Sequence, residues 1–306
     1  MEETVIETSR NNDIDVDKIK ARNVQTFSQK FKQYKNHPGS LVLYLLVWLA
    51  AIATMATVLF LIGYILVMGI PYINADIFSL QYTSDNCSLV PSLVNTVLMT
   101  LLSLIIAVPL GIFSAIYLVE YAKRGNKLVS IIRTAAETLQ GIPSIVYGLF
   151  GMLFFVEALH WGYSLLAGSF TVAIMILPLI MRTTEEALLS VPDSYREGSF
   201  GLGAGKLRTV FKVVLPSAVP GILAGVILAI GRVVGETAAL IYTAGAVSDY
   251  PKNVMSSTRT LAVHMYNLSN EGLHTNQAYA TAVVLLVLVL LINWFSSAVA
   301  KKITKK

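Results

Sequence analysis

Cysteine is almost absent. Cys87 is the single one in 306 residues, which excludes an intrachain disulfide and a cysteine-built metal cluster. The four histidines, His37, His160, His264 and His274, form no metal-ligand spacing. No H-E-x-x-H, G-x-G-D or G-x-S-G stands in the chain, and Cys87 has no evident histidine partner, which argues against an intramembrane enzyme. Neither metal nor cofactor is expected. Charge is scarce too. Only 13% of residues are Asp, Glu, Lys or Arg and 55% are hydrophobic, against roughly 25% charged in soluble domains. The chain therefore reads as an all-α integral membrane protein.

Between Ser40 and Asp76, and again over 86–119, no acid or base occurs. A membrane span needs about 20 apolar residues. Six fit, near 41–68, 91–118, 134–156, 163–181, 216–243 and 276–299, making a transmembrane domain over 41–300. Pro109 should kink the second. In the third, Pro143 and its glycines predict close helix packing. Residues 1–40 are polar, hold no h-region and read as a cytoplasmic tail, whose later part could form a basic amphipathic helix on membrane lipid.

Of the 23 Lys and Arg residues, twenty fall in the N-terminal tail, the loops after spans 2 and 4, and the tail 301–306. Lys252 and Arg259 fall on the other side, and Arg232 lies within span 5. The split predicts both termini inside. It also explains the net charge of +5 without a nucleic-acid partner. Cys87, in the first outer loop, would then be a native probe of sidedness. The outer loop 244–275 could carry a short surface helix through Leu261, Val263, Met265 and Leu268. It would dock an external protein or cap the bundle.

The chemistry gathers between Arg182 and Gly245. In the inner loop 182–212, Pro192 can open a helix with Asp193 and Glu197 in its early turns, where the dipole favours acids. Gly201 and Gly203 supply stop signals. The expected helix over 193–202 presents Tyr195, Glu197, Phe200 and Leu202, and apolar side chains there call for a covering partner. GLGAGKL (201–207) mimics a phosphate loop, but a Walker A motif would need Gly at Phe200 and Ser or Thr at Leu207. ATP hydrolysis therefore belongs to another polypeptide.

Within span 5, Arg232 and Glu236 stand at i, i+4, a spacing that puts both on one helix face. A central Arg costs about 2.5–3.5 kcal/mol on insertion scales, so the two should pair and face other helices or a polar cavity. As a neutralised pair they would anchor packing. As a path they suit an oxyanion: Arg presents forked donors, Glu236 accepts a phosphate hydroxyl that sulfate lacks, and Thr237 and Thr243 add hydroxyls. Glu120, Glu137 and Glu157 are explained by interfacial solvation.

Glu197-Gly198-Ser199, three residues, Gly203, nine residues, Val213, one residue and Leu215-Pro216 resemble the E-A-A-x3-G-x9-I-x-L-P signature of ABC-importer permeases. Gly198 and Ser199 replace the alanines and Val213 the isoleucine. The resemblance implies a type I importer permease fold and a coupling helix over 193–203 that seats in an ATPase. GRVVGETAAL (231–240) and GIPSIVYGLFG (141–151) resemble segments of the PstA family of phosphate-importer permeases. The sister PstC family has a related segment ending in GETMA. The likeness covers roughly 90–300. It implies a heterodimer with a second, PstC-like permease, two PstB-like ATPase subunits, and an external PstS-like phosphate-binding protein. Permeases for sulfate, molybdate or phosphonate, and a secondary anion transporter or channel, are the alternatives.

Overall fold

The computed structural model describes residues 38–123 and 125–304. The expected surface helix of the N-terminal tail lies outside them, as do the last two residues of the C-terminal tail. Two units divide after Gly63. The first contributes the start of helix α1, Pro38–Gly69. That stretch is apolar on every face, with Leu43, Val47 and Leu49 exposed, the pattern of a helix sided by lipid rather than water.

In the second unit follow α2 (Val90–Ile116), α3 (Lys127–Gln140), α4 (Ser144–Gly151), α5 (Leu165–Leu189) and α6 (Asp193–Gly201). After these come α7 (Lys206–Thr209), α8 (Leu215–Val234), α9 (Ala238–Ile241), α10 (Leu261–Glu271) and α11 (Thr275–Thr304). No strand occurs among the described residues. Wide π-type turns extend α2 through Tyr121 and α4 through Ala158, and join α7 to α8 over Val210–Val214. The last one precedes Pro216, which has no N–H to return to the Lys212 carbonyl. Among the described residues, five helices are long and apolar enough to cross a membrane, or six if the bent pair α3–α4 counts as one.

Three of the expected spans differ in shape. The third is not one helix: α3 and the α4 arm meet at 103°. Pro143 forbids the helix to its predecessor and contributes no N–H. The fourth runs on past Met181 to Leu189. Arg182 pairs with Glu186 one turn on at 3.1 Å, and Ala187 and Leu188 are buried, so the expected inner loop's opening stretch, 182–189, is helix. The fifth stops at Val234, with Gly235 closing α8.

The core lies around α5, which packs against α2, α4 and α8. Val172, Met175, Ile176 and Ile180 are fully buried there with Met99, Ala229 and Leu240. Between membrane helices such contacts act through close packing rather than water release. Gly148 shows how close: a Cβ on it would lie 2.9 Å from the Ala239 Cα, so α4 and α9 touch backbone to backbone. Buried hydroxyls on the same helices bond back one turn, as Thr100 to the Thr96 carbonyl and Thr171 to that of Ala167.

Two expectations for the loops are corrected. Cys87 is only 1% exposed and packs against Leu268 and Ala278, and burial pushes its thiol pKa up. It cannot serve as a surface probe. Helix α10 does form, but Leu261, Val263 and Leu268 are buried, so these residues face α2 and α11 rather than a surface, which fits a helix that caps the bundle. His264, also buried, holds its Nε2 3.3 Å from the Cys87 carbonyl. Since a carbonyl only accepts, Nε2 carries the proton. Burial first, and the nearby Arg259 charge second, lower its pKa to about 3.

Candidate functional site

Arg232 and Glu236 do not share a helix face. Arg232 sits in the last turn of α8, and Glu236 lies in the break between α8 and α9. Glu236 is 8% exposed, and its Oε1 accepts a hydrogen bond from the Ala239 N–H at 3.0 Å. It therefore caps α9, taking one of the donors a helix start leaves free. Among the described residues no ion pair joins it to Arg232. The expected neutralised pair is absent because Gly235 turns the chain between them.

Arg232 itself is half-buried. On α4, the Tyr147 hydroxyl is committed elsewhere and donates to the Leu139 carbonyl at 2.8 Å. No carboxylate or carbonyl among the described residues answers its guanidinium. Thr237 is half-buried, with only a long 3.5 Å contact to the Gly235 carbonyl. Thr243 is different: fully buried, it donates to the Ala239 carbonyl at 2.8 Å and offers nothing outward. The result is a forked cation with free donors at a helix break, flanked by one committed carboxylate.

The second place is α6. Expected from Pro192 and the acids behind it, this helix spans Asp193–Gly201 and has no buried residue. Tyr195 is 51% exposed, Phe200 47% and Leu202 92%, and Glu197 is exposed too. Open space surrounds a Cβ built on Gly198, while Ser199 shares a 2.8 Å hydroxyl bond with Thr209. Gly203 takes φ +81°, a left-handed conformation that costs other residues about 1–2 kcal/mol. Leu215 and Pro216 open α8 directly after the wide turn. The motif thus runs from an exposed helix carrying Tyr195 and Phe200, through α7, into the helix that ends in the turn of Arg232.

Two ion-pair groups escaped the sequence reading. Arg133 on α3 pairs with Glu185 on α5. Arg182 holds Glu186 and, at 3.6 Å, Glu137. They line a cavity of about 260 Å³ with Gln140, whose Nε2 is buried without a partner. Glu120 is likewise not a solvated interfacial acid. It is 8% exposed and holds Arg196 at 2.8 Å. Partners 76 residues apart leave no local signal.

The comparisons with known proteins agree with this architecture. Residues 107–305 match the family model of the binding-protein-dependent transport system inner membrane component, and the chain belongs to that family. It is a multi-pass membrane protein with the type I ABC importer permease fold. Among curated relatives, it is 34% identical over 271 residues to the probable ABC transporter permease protein YqgI of Bacillus subtilis, covering 80% of this chain and 90% of that one. It is 33% identical over 233 residues to the phosphate transport system permease protein PstA of Pasteurella multocida, covering 74% and 82%. The similarity to PstA 2 of Mycobacterium tuberculosis is 32% over 265 residues, covering 81% and 87%. A chain of the bacterial alginate ABC transporter superposes with a TM-score of 0.65 at 17% identity, covering 89% of this chain and 98% of that one. One from the MetNI methionine transporter gives 0.55 at 21%, covering 70% and 93%. These two speak for the fold alone.

Proposed function

We propose that the chain is the membrane subunit of an ATP-driven phosphate importer, with Arg232 in the phosphate path. The unanswered guanidinium of Arg232 carries this reading. A charge kept within an apolar helix without a partner is costly, and a forked donor free to bind matches an oxyanion. The PstA relatives favour phosphate over other oxyanions. The distribution of basic residues supports a cytoplasmic side for 1–40, 182–212 and 301–306. There the exposed face of α6, with Tyr195, Glu197, Gly198, Ser199 and Phe200, docks on one of two ATPase subunits. A second permease completes the path, and an external binding protein delivers phosphate. ATPase closure moves α6, and the motion passes through α7, Leu215 and Pro216 into α8 and so to Arg232.

The test is uptake of labelled phosphate into proteoliposomes holding the assembled transporter. ATP-dependent uptake that arsenate competes and sulfate does not is expected. Sulfate competition would move the assignment to another oxyanion, and uptake without any ATPase would overturn the importer reading.

A further inference from the structure

Resting on the reading that α6 docks the ATPase, we infer that Arg196 is a positioning residue that joins α6 to the cytoplasmic end of α2 as one mechanical unit. Helix α6 buries none of its residues, so little apolar packing fixes it within this chain. Polar ties do so instead, and Arg196 makes most of them. Its Nε and Nη2 both donate to Glu120 Oε1, at 3.1 and 2.8 Å. Nη2 also donates to the Leu188 carbonyl at 2.9 Å, and Nη1 to the Val191 carbonyl at 2.8 Å and to Asp193 Oδ1 at 3.2 Å.

The two carbonyls belong to the end of α5 and the turn after it, where helix acceptors lack internal partners. Glu120 lies in the wide turn ending α2. One side chain therefore bridges α2, α5 and α6. Its side chain is 14% exposed and that of Glu120 8%, so little water competes for the bonds. Charge-assisted, forked bonds of this kind are the strong ones. A second tie runs alongside: Lys206 sets its ammonium 5.2 Å from the centre of the Tyr121 ring, next to Glu120. The consequence concerns the stroke. A push received at α6 reaches two membrane helices, α8 through the chain and α2 through Arg196–Glu120.

The test uses the assembled transporter in proteoliposomes. Spin labels go on Ser194→Cys and Lys123→Cys, both exposed, while buried Cys87 does not compete. In the otherwise wild-type chain the inter-label distance should be the same with and without ATP trapped on the ATPase. In Glu120→Gln it should shift and broaden. That variant should keep ATPase association and basal hydrolysis, yet import about tenfold less phosphate per ATP, as loss of a charge-assisted tie implies. Arg196→Lys, which keeps the charge but cannot reach every acceptor, should fall between. A distance that changes with ATP in the wild-type chain, readable whether or not the variants fold, would overturn the inference. So would wild-type coupling in Glu120→Gln. An ATPase that does not bind the wild-type chain would instead overturn the docking reading of α6, and this inference with it.

Discussion

At the scale of single residues, Glu236 carries two duties that substitutions can separate. Its Oε1 caps α9, and its charge lies four residues past Arg232, just beyond the end of α8. Glu236→Gln keeps an oxygen for the Ala239 N–H and removes the charge. With the repelling carboxylate gone, phosphate should be held longer: KM falls while turnover slows. Glu236→Ala also loses the cap, at about 0.5–2 kcal/mol, and should lower the thermal midpoint as well. Initial-rate uptake and thermal unfolding read the two effects. Equal KM values in Glu236→Gln and wild type would remove the charge from the account. His264 offers a second case. Its folded pKa of about 3 lies below the unfolded value of 6.5. The unfolded chain thus takes up a proton that the folded chain refuses, and stability falls as pH drops from about 6.5 towards 3. His264→Gln should flatten that part of the pH dependence of the thermal midpoint. An unchanged slope would mean that His264 titrates normally.

At the scale of elements, α6 and its exit were legible from sequence because their signals are local. Pro192 and Asp193 begin the helix and Gly203 ends it, with φ +81°. Substitution at Gly203 meets no neighbour within 4 Å, so backbone strain alone decides the outcome. Gly203→Val should uncouple ATP hydrolysis from uptake, and Gly203→Asn, which tolerates the left-handed region better, should restore part of it. Phe200→Asp should release the ATPase while leaving the chain inserted, because Phe200 is 47% exposed and packs in no core. Co-purification of the ATPase measures this, and undiminished association would remove the docking surface from α6. The break in α8 was not legible. GETAAL is made of good helix formers apart from Gly235 and Thr237, and its apolar surroundings read as one span. Only the structure shows Gly235 closing a helix and Glu236 opening the next. The same holds for α3 and α4: Pro143 reads as a sign of close packing within one span, and the 103° turn depends on where each arm packs.

At the scale of the whole molecule, the charge-free runs were enough to give an all-helical membrane chain, because lipid leaves the backbone few other choices. What they could not give are the contacts between distant helices. Arg133 with Glu185, Arg182 with Glu137, and Arg196 with Glu120 join segments 45 to 76 positions apart. These pairs tie α3, α5, α6 and α2 together at the end where the basic loops lie, whereas Arg232, at the far end of α8, has no ion-pair partner among the described residues. The arrangement separates an end braced by ion pairs from a cation without one among the described residues, and the proposal is that this cation receives phosphate. The most direct measurement is ATP-driven uptake of labelled phosphate by Arg232→Gln, in proteoliposomes where the variant is assembled with its ATPase and still hydrolyses ATP. Losing a charge-assisted bond worth about 1.5–3 kcal/mol predicts a fall in uptake of roughly ten- to hundredfold, with assembly intact. Uptake at the wild-type rate by the assembled variant would contradict the account.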